Sequence, residues 1–146
     1  MDDGEGVQGD EVGYQPSPMN HQPAFPHERL AVWQQAKSLA KDIYTLTAEY
    51  PREERFGLVN QMRRAAVSIM SNLAEGSGRT SPRDQAHFSQ LAFGSLLELD
   101  AQLQLSVDLN FMPATDYPAI RATILGLVKR ISNLRSAQLK RGGAAR

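Results

Sequence analysis

The sequence predicts an all-α protein, an antiparallel up-down-up-down four-helix bundle, on three observations. Apolar residues recur at three- and four-residue steps in four stretches of similar length, which is the period of an amphipathic helix. The links between these stretches are short and contain proline or glycine, and short links make consecutive helices antiparallel neighbours. No stretch alternates apolar and polar residues in the way that a half-buried strand does.

The first two helices are separated by a proline-containing link. Helix 1 is predicted over about residues 28–48, and it ends at Tyr50 because the residue before Pro51 disfavours the α region. Helix 2 is predicted over about residues 52–75, with two glutamates in its first turn that suit the positive end of the helix dipole. We expect Gly76 to end helix 2 in a left-handed conformation.

The third helix has a clear start and stop. Ser81 is a typical N-cap, Pro82 suits the first helical position, and a carboxylate follows at the third. The apolar stripe then continues to about Leu109. Asn110 is expected to close the helix, with Pro113 beyond it.

The fourth helix is predicted from near Thr115 to about Leu139, with Pro118 in its first turn and Gly142-Gly143 as its end. This helix is strongly basic: after Asp116 the chain has seven lysines and arginines and no acidic residue. The net charge of zero therefore conceals a basic body, with 16 basic against 11 acidic residues after position 26.

Segments without helical periodicity flank the predicted bundle. Residues 1–26 contain four glycines, four prolines and five carboxylates but no lysine or arginine, so we interpret them as a disordered acidic tail. Residues 27–141 form the bundle, and 142–146 a flexible C-terminus. Two roles are open for the tail: it shields the basic body, or it is a solubilising extension.

Composition excludes several classes of protein. No run approaches the roughly 18 apolar residues of a membrane span, and the acidic start is unlike a signal peptide, so we expect a cytoplasmic protein. The absence of cysteine rules out disulfides and thiolate metal sites. The three histidines share no ligand spacing, and no nucleophile is paired with a base. We expect no metal, no cofactor and no catalytic residues.

The paired arginines Arg63 and Arg64 have two interpretations. Consecutive helical positions diverge by about 100°, so one guanidinium can face a neighbouring helix while the other faces solvent. Glu98 on helix 3 is the candidate partner of the inward one, and we predict a structural ion pair between Arg63 and Glu98 that fixes helix register. The alternative is that both arginines bind phosphate.

A cluster of small residues on helices 2 and 3 allows close backbone approach, either within the chain or at a subunit interface. The four wide apolar faces exceed what one slim bundle can hide, which favours a homo-oligomer. In an oligomer the basic helix would become a multivalent phosphate-binding surface with little sequence specificity. The predicted contacts with RNA or DNA are Arg63, Arg64, Arg121, Lys129, Arg130, Arg135, Lys140 and Arg141. The alternative is a protein-interaction adaptor whose basic helix only maintains solubility.

Several motifs resemble one bacterial family of four-helix bundles, which is encoded in intervening sequences of 23S ribosomal RNA. They read QMRRAA from Gln61, NLAEG from Asn72, and Gly94-Ser95 followed by Glu98. The resemblance implies a ring-shaped homopentamer with a basic surface. It extends to the accessory protein of diversity-generating retroelements, which is similar in fold and binds nucleic acid and a reverse transcriptase, so a reverse transcriptase or another protein is a further possible partner. It brings no catalytic residues.

Overall fold

A computed structural model describes residues 24–144 of the chain. Within this range all regular structure is helical, and no strand occurs, which confirms the predicted all-α class. Short 3₁₀ turns precede the first, second and fourth of the long helices. These helices are α1 (Ala31–Thr47), α2 (Leu58–Ser77), α3 (Pro82–Asp108) and α4 (Tyr117–Ala144).

Contacts between side chains give the direction of the central helices. Ser68 Oγ of α2 lies 2.8 Å from Ser95 Oγ of α3, and the start of α3 meets the end of α2 where Phe88 packs on Gly76. The α2–α3 pair is therefore antiparallel. So is the α3–α4 pair, because Ser89 near the start of α3 donates a 2.7 Å hydrogen bond to Gln138 near the end of α4. Helix α1 packs mainly on α2 and more lightly on α4.

One core runs the length of the bundle, and each helix contributes residues at the predicted three- and four-residue steps. Burial of these apolar side chains is the main stabilising term of such a fold. The largest fully buried side chains are Leu39, Ile43, Met62, Ile69, Leu96, Leu99, Leu103, Leu127 and Ile131.

The predicted start and stop of α3 are confirmed. Ser81 Oγ accepts a hydrogen bond from the backbone N–H of Asp84 at 3.3 Å, and Pro82 is the first helical residue. Asn110 has a φ of 62°, the one positive value outside glycine among the described residues. Proline at the second position of α4 also matches expectation.

Two predicted helix stops at glycine are wrong. Gly76 lies inside α2, and no described glycine has a positive φ. Its role is close packing, because a Cβ at Gly76 would lie 2.8 Å from Phe88 Cβ. Gly142 and Gly143 do not end α4 either, since the helix continues to Ala144.

Regular contacts are described on both sides of residue 26, the predicted boundary between the tail and the bundle. The backbone N–H groups of Ala24 and Phe25 donate to Glu28 Oε1 at 2.9 and 2.8 Å, and a 3₁₀ turn at Pro26–Arg29 leads into α1. Helix α1 therefore starts three residues later than its apolar pattern indicated. The predicted tail over 1–23 and the last two residues of the flexible C-terminus lie outside the described range.

Candidate nucleic-acid interface

Arg63 is held against helix α1. Its Nε donates to Thr47 Oγ1 at 2.9 Å, and its Nη2 donates to the backbone carbonyl of Tyr44 at 3.2 Å. The guanidinium carbon lies 4.5 Å from the Tyr44 ring centroid, within the range of a cation–π contact. Thr47 is itself fixed, because its hydroxyl donates to the carbonyl of Ile43 at 2.7 Å. Arg63 therefore binds carbonyl and hydroxyl groups at the negative end of α1.

The predicted ion pair between Arg63 and Glu98 is wrong. Arg63 is directed to α1, whereas Glu98 is exposed on α3 and accepts a 3.2 Å hydrogen bond from Gln102 Nε2 one turn away. The sequence correctly indicated that one arginine of the pair turns inward. The sequence could not show which helix the inward arginine contacts. Helix α2 has a wide apolar face and packs between two neighbouring helices, so either neighbour could have been the partner.

Arg64 is the solvent-facing member of the pair. It is exposed, and within the described residues it makes no ion pair or side-chain hydrogen bond. It lines two adjoining surface depressions of about 490 and 280 Å³, the first with Tyr44 and Arg63 and the second with Asn60 and Glu98. Arg64 is therefore available to an external anion.

Two arginines that the sequence reading did not select lie beside this pair. Arg52 and Arg55 belong to the link between α1 and α2, and with Arg63 they line a pocket of about 270 Å³. We call these three residues the arginine corner. The two arginines are visible in the sequence, three positions apart. The glutamates between them are typical of a helix start, so this pattern predicted a helix start and no binding site.

Arg121 belongs to a polar cluster between α3 and α4. It donates to Asp100 Oδ2 at 2.8 Å and to the Tyr117 hydroxyl at 2.6 Å, and that hydroxyl donates to Asp100 Oδ1 at 2.7 Å. Partial burial raises the pKa of Tyr117, and its bond to the Asp100 carboxylate acts in the same direction. The bond to Tyr117 and the charge of Asp100 raise the pKa of Arg121. Arg121 thus neutralises a carboxylate within the chain.

The remaining cations of α4 differ in availability. Lys129, Arg130 and Lys140 are exposed, and no ion pair or side-chain hydrogen bond involves them within residues 24–144. Arg141 is exposed but donates to Gln85 Oε1 at 2.9 Å. Arg135 is half-buried, and its Nε is buried without a hydrogen-bond partner. From the sequence, all of these cations were predicted to contact nucleic acid, because the spacing of charges does not show which of them are bonded within the chain.

The predicted contact residues do not form one continuous site. Arg63 and Arg64 lie where α2 meets α1, whereas Lys129 and Arg130 are in the middle of α4 and Lys140 is near its end. Arg130 lines a surface groove of about 390 Å³ between α1 and α4, together with Asp42. The cations therefore form separate patches on the bundle.

Helix α3 has a second face, with two leucines and a central glutamate, that the protein core does not cover. Leu91, Gly94, Glu98, Ala101 and Leu105 follow one another at alternating steps of three and four residues, and all five are exposed. Leu91 is 42% and Leu105 47% accessible. Nothing lies within 4 Å of a Cβ placed on Gly94, so the small residue there does not serve packing within the chain. The sequence reading placed Gly94 in close packing or at a subunit interface, and the first is wrong.

Within the described part of the chain, no three histidine, aspartate or glutamate side chains are grouped closely enough to hold a metal ion. None of the helices in that part is long and apolar enough to cross a membrane. The exposed cations described above carry guanidinium and ammonium groups, which bind anions such as carboxylates and phosphates.

Comparison with known proteins agrees with this architecture. Residues 28–133 match the 23S rRNA-intervening sequence protein family. The chain belongs to that family. A solved structure of a protein of unknown function from the S23 ribosomal protein family of Bacteroides thetaiotaomicron is similar to it, with a TM-score of 0.65 and 18% sequence identity. The alignment covers 72% of this chain and 98% of the Bacteroides chain. No curated protein matches. At this identity the likeness to the Bacteroides structure extends to the fold alone.

Proposed function

We propose that this member of the 23S rRNA-intervening sequence protein family is a non-catalytic cytoplasmic protein that binds the backbone of RNA or DNA. The observation that carries the proposal is the charge of α4. The chain has no acidic residue after Asp116, and Lys129, Arg130 and Lys140 are exposed without an ion-pair partner in the described chain. Unneutralised cations on a rigid helix attract a polyanion and release its counterions.

Exposure without a partner inside residues 24–144 favours Arg64, Lys129, Arg130 and Lys140 as the primary contacts, with Arg63 and Arg141 beside them. Arg121 is paired with Asp100 and Arg135 is half-buried, so both are weaker candidates. Among the exposed aromatic side chains of the described residues, Tyr44 lies beside Arg63 and Arg64, and a single ring offers little surface for stacked bases. Binding is therefore expected to be driven by phosphate contacts and to discriminate weakly among sequences.

Assembly into a homo-oligomer is part of the proposal, with a ring-shaped pentamer as its expected form. The outer face of α3 supports assembly, since Leu91, Ala101 and Leu105 form a helical seam that a second copy can cover. Each added subunit repeats the exposed cations, so weak contacts add up around the particle. The family name associates its members with ribosomal RNA genes, which makes RNA the first ligand to test.

Salt dependence tests the proposal. Affinity for a single-stranded RNA should fall linearly on a log–log plot of binding against salt, with a slope of about −0.7 for each phosphate contact. The double variant Lys129→Gln/Arg130→Gln, which removes two such contacts, should make that slope shallower by about 1.4. A control variant with the same loss of charge, Lys41→Gln/Arg83→Gln, should not. Equal slopes for the two double variants would overturn the assignment to α4.

The exposed seam on α3 also supports a second candidate function. A protein-interaction adaptor would use Leu91 and Leu105 to hold a different protein, a reverse transcriptase among the possible partners, and would need no nucleic acid. Such an adaptor would not retain RNA even in dilute buffer. RNA retention at low salt that disappears as salt rises would favour the nucleic-acid function, and its absence would favour the adaptor.

A further inference from the structure

The arginine corner combines a pocket with concentrated positive charge. Arg52, Arg55 and Arg63 line the pocket of about 270 Å³ against a wall that includes Tyr50 and Val59. No carboxylate is among the lining residues. None of the three arginines forms an ion pair within residues 24–144. Three arginines thus line one pocket that has no carboxylate among its lining residues, and a bound anion would offset their like charges.

The nearest carboxylates in the sequence are committed elsewhere or face solvent. Glu54 Oε1 accepts from the backbone N–H of Leu58 at 3.3 Å and so satisfies an N–H in the first turn of α2. Glu49 and Glu53 are exposed and do not line the pocket. Arginine is therefore the only charged residue type among the lining residues, although three glutamates lie nearby in the sequence.

Arg63 gives the pocket a fixed donor. Its bonds to Thr47 and to the Tyr44 carbonyl hold the guanidinium in place, but they use only two of its five N–H donors. An anion that binds the remaining N–H donors does not have to immobilise the Arg63 side chain, because its conformational entropy was already lost on folding. This preorganisation strengthens binding without any further contact. Capping of α1 explains Arg63 alone, and it does not explain why Arg52 and Arg55 line the same pocket.

We infer that the arginine corner is a binding site for a single phosphate group. Its volume of about 270 Å³ is below the roughly 300–1,000 Å³ of sites that enclose a whole small molecule, and a single phosphate group fits within it. Planar guanidinium groups match the oxygens of a phosphate bidentately. The phosphate comes from free inorganic phosphate, from the end of a nucleic-acid strand, or from within its backbone. The inference deepens the proposed function, but it does not depend on α4.

The test is calorimetric titration of the full chain with inorganic phosphate at physiological salt. Wild type should give a saturable isotherm, and Arg55→Gln should weaken binding by about tenfold or more, since a charge-assisted contact is lost. Arg83→Gln, which removes an equal charge from an exposed position on α3, should change affinity by less than about twofold. Circular dichroism of both variants should show unchanged helix content, because Arg55 and Arg83 are exposed.

Two RNA oligonucleotides of one sequence, with a 5′-phosphate or a 5′-hydroxyl, distinguish the sources. Preference for the phosphorylated strand that Arg55→Gln abolishes assigns the pocket to a strand end. Equal binding of both strands, with competition by inorganic phosphate, assigns it to the backbone. Binding of phosphate without binding of RNA would support the phosphate site and contradict the proposed nucleic-acid function. No isotherm in wild type, or equal effects of Arg55→Gln and Arg83→Gln, overturns the pocket and leaves RNA binding through α4 intact.

Discussion

Gly76 lies so close to Phe88 that a single methyl group at Gly76 would come within 2.8 Å of the Phe88 Cβ and 3.3 Å of the Gln85 carbonyl oxygen. The contact joins the end of α2 to the start of α3 and fixes the distance between the two helix axes. Because the obstructing atoms belong to the backbone or lie next to it, a side-chain rotation cannot relieve the clash.

Gly76→Ala should therefore destabilise the protein although alanine is the better helix former. We expect a loss of about 1–3 kcal/mol in the free energy of unfolding, measured by urea denaturation. Gly126→Ala is the matched control, since nothing lies within 4 Å of a Cβ there and helix propensity should stabilise that variant by up to about 1 kcal/mol. Similar stability of the two variants would contradict the close-packing role of Gly76.

Truncation of Arg63 should destabilise the protein, whereas truncation of Arg64 should have little effect. Arg63→Ala removes the donor to the buried Thr47 hydroxyl and to the Tyr44 carbonyl, which should lower the free energy of unfolding by about 1–2 kcal/mol. Arg64→Ala, at the exposed neighbouring position, should stay within about 0.5 kcal/mol of wild type. Glu98→Ala should also leave the melting temperature unchanged. A marked destabilisation by Glu98→Ala would support the ion pair between Arg63 and Glu98 that the sequence suggested.

Tyr50 should make the protein sensitive to alkaline pH. Burial raises the pKa of the Tyr50 hydroxyl above its ordinary value of 10.0. The unfolded chain therefore loses this proton at lower pH than the folded chain, and the free energy of unfolding should fall as pH rises above about 10. Tyr50→Phe should reduce that fall, whereas Tyr44→Phe, at an exposed ring, is the matched control.

The same substitution tests the cost of a buried polar atom. The Tyr50 hydroxyl is buried, and within the described chain no group meets hydrogen-bond geometry with it, although the Ser106 hydroxyl is near enough to lower the pKa of Tyr50 against the larger effect of burial. An unsatisfied buried hydroxyl costs about 1–3 kcal/mol, so Tyr50→Phe should be neutral or stabilising at pH 7. Thermal unfolding at pH 7 and above pH 10 measures both effects. A lower melting temperature at pH 7 would show that the hydroxyl is bonded in solution.

The outer face of α3 should control assembly and not folding. Leu91→Glu/Leu105→Glu places two charges on the exposed seam, which should dissociate an oligomer while helix content stays unchanged, because neither residue packs in the core. Light scattering after size exclusion gives the mass of each species. Leu125→Glu, at an exposed leucine of α4 away from the seam, is the control. A wild-type chain that is monomeric at high concentration would contradict the proposed assembly.

Much of the fold was predictable because helical periodicity is local. The apolar steps, the Ser81 cap and the closing role of Asn110 are all determined by residues within a few positions of each other. Gly76 was misinterpreted for the opposite reason. Glycine at a helix end has two uses, a left-handed stop and a close approach, and only the position of Phe88 on another helix decides between them.

The candidate site was less predictable than the fold. Positive charge is visible in a sequence, but the partner of each cation is not. Arg121 faces Asp100 from 21 positions away, and Arg63 reaches back 16 positions to Thr47. Arg55 escaped notice because a basic residue in a short link carries no periodic signal until the two helices that it joins are in place.

The placement of the cations along the bundle sets a minimum length for a ligand. The arginine corner lies at the end where α4 begins, and Lys140 lies at the other end. Between Tyr117 and Lys140 the helix rises by roughly 35 Å, which is about one turn of B-form DNA. A DNA duplex shorter than about ten base pairs is therefore too short to contact both ends of one protomer.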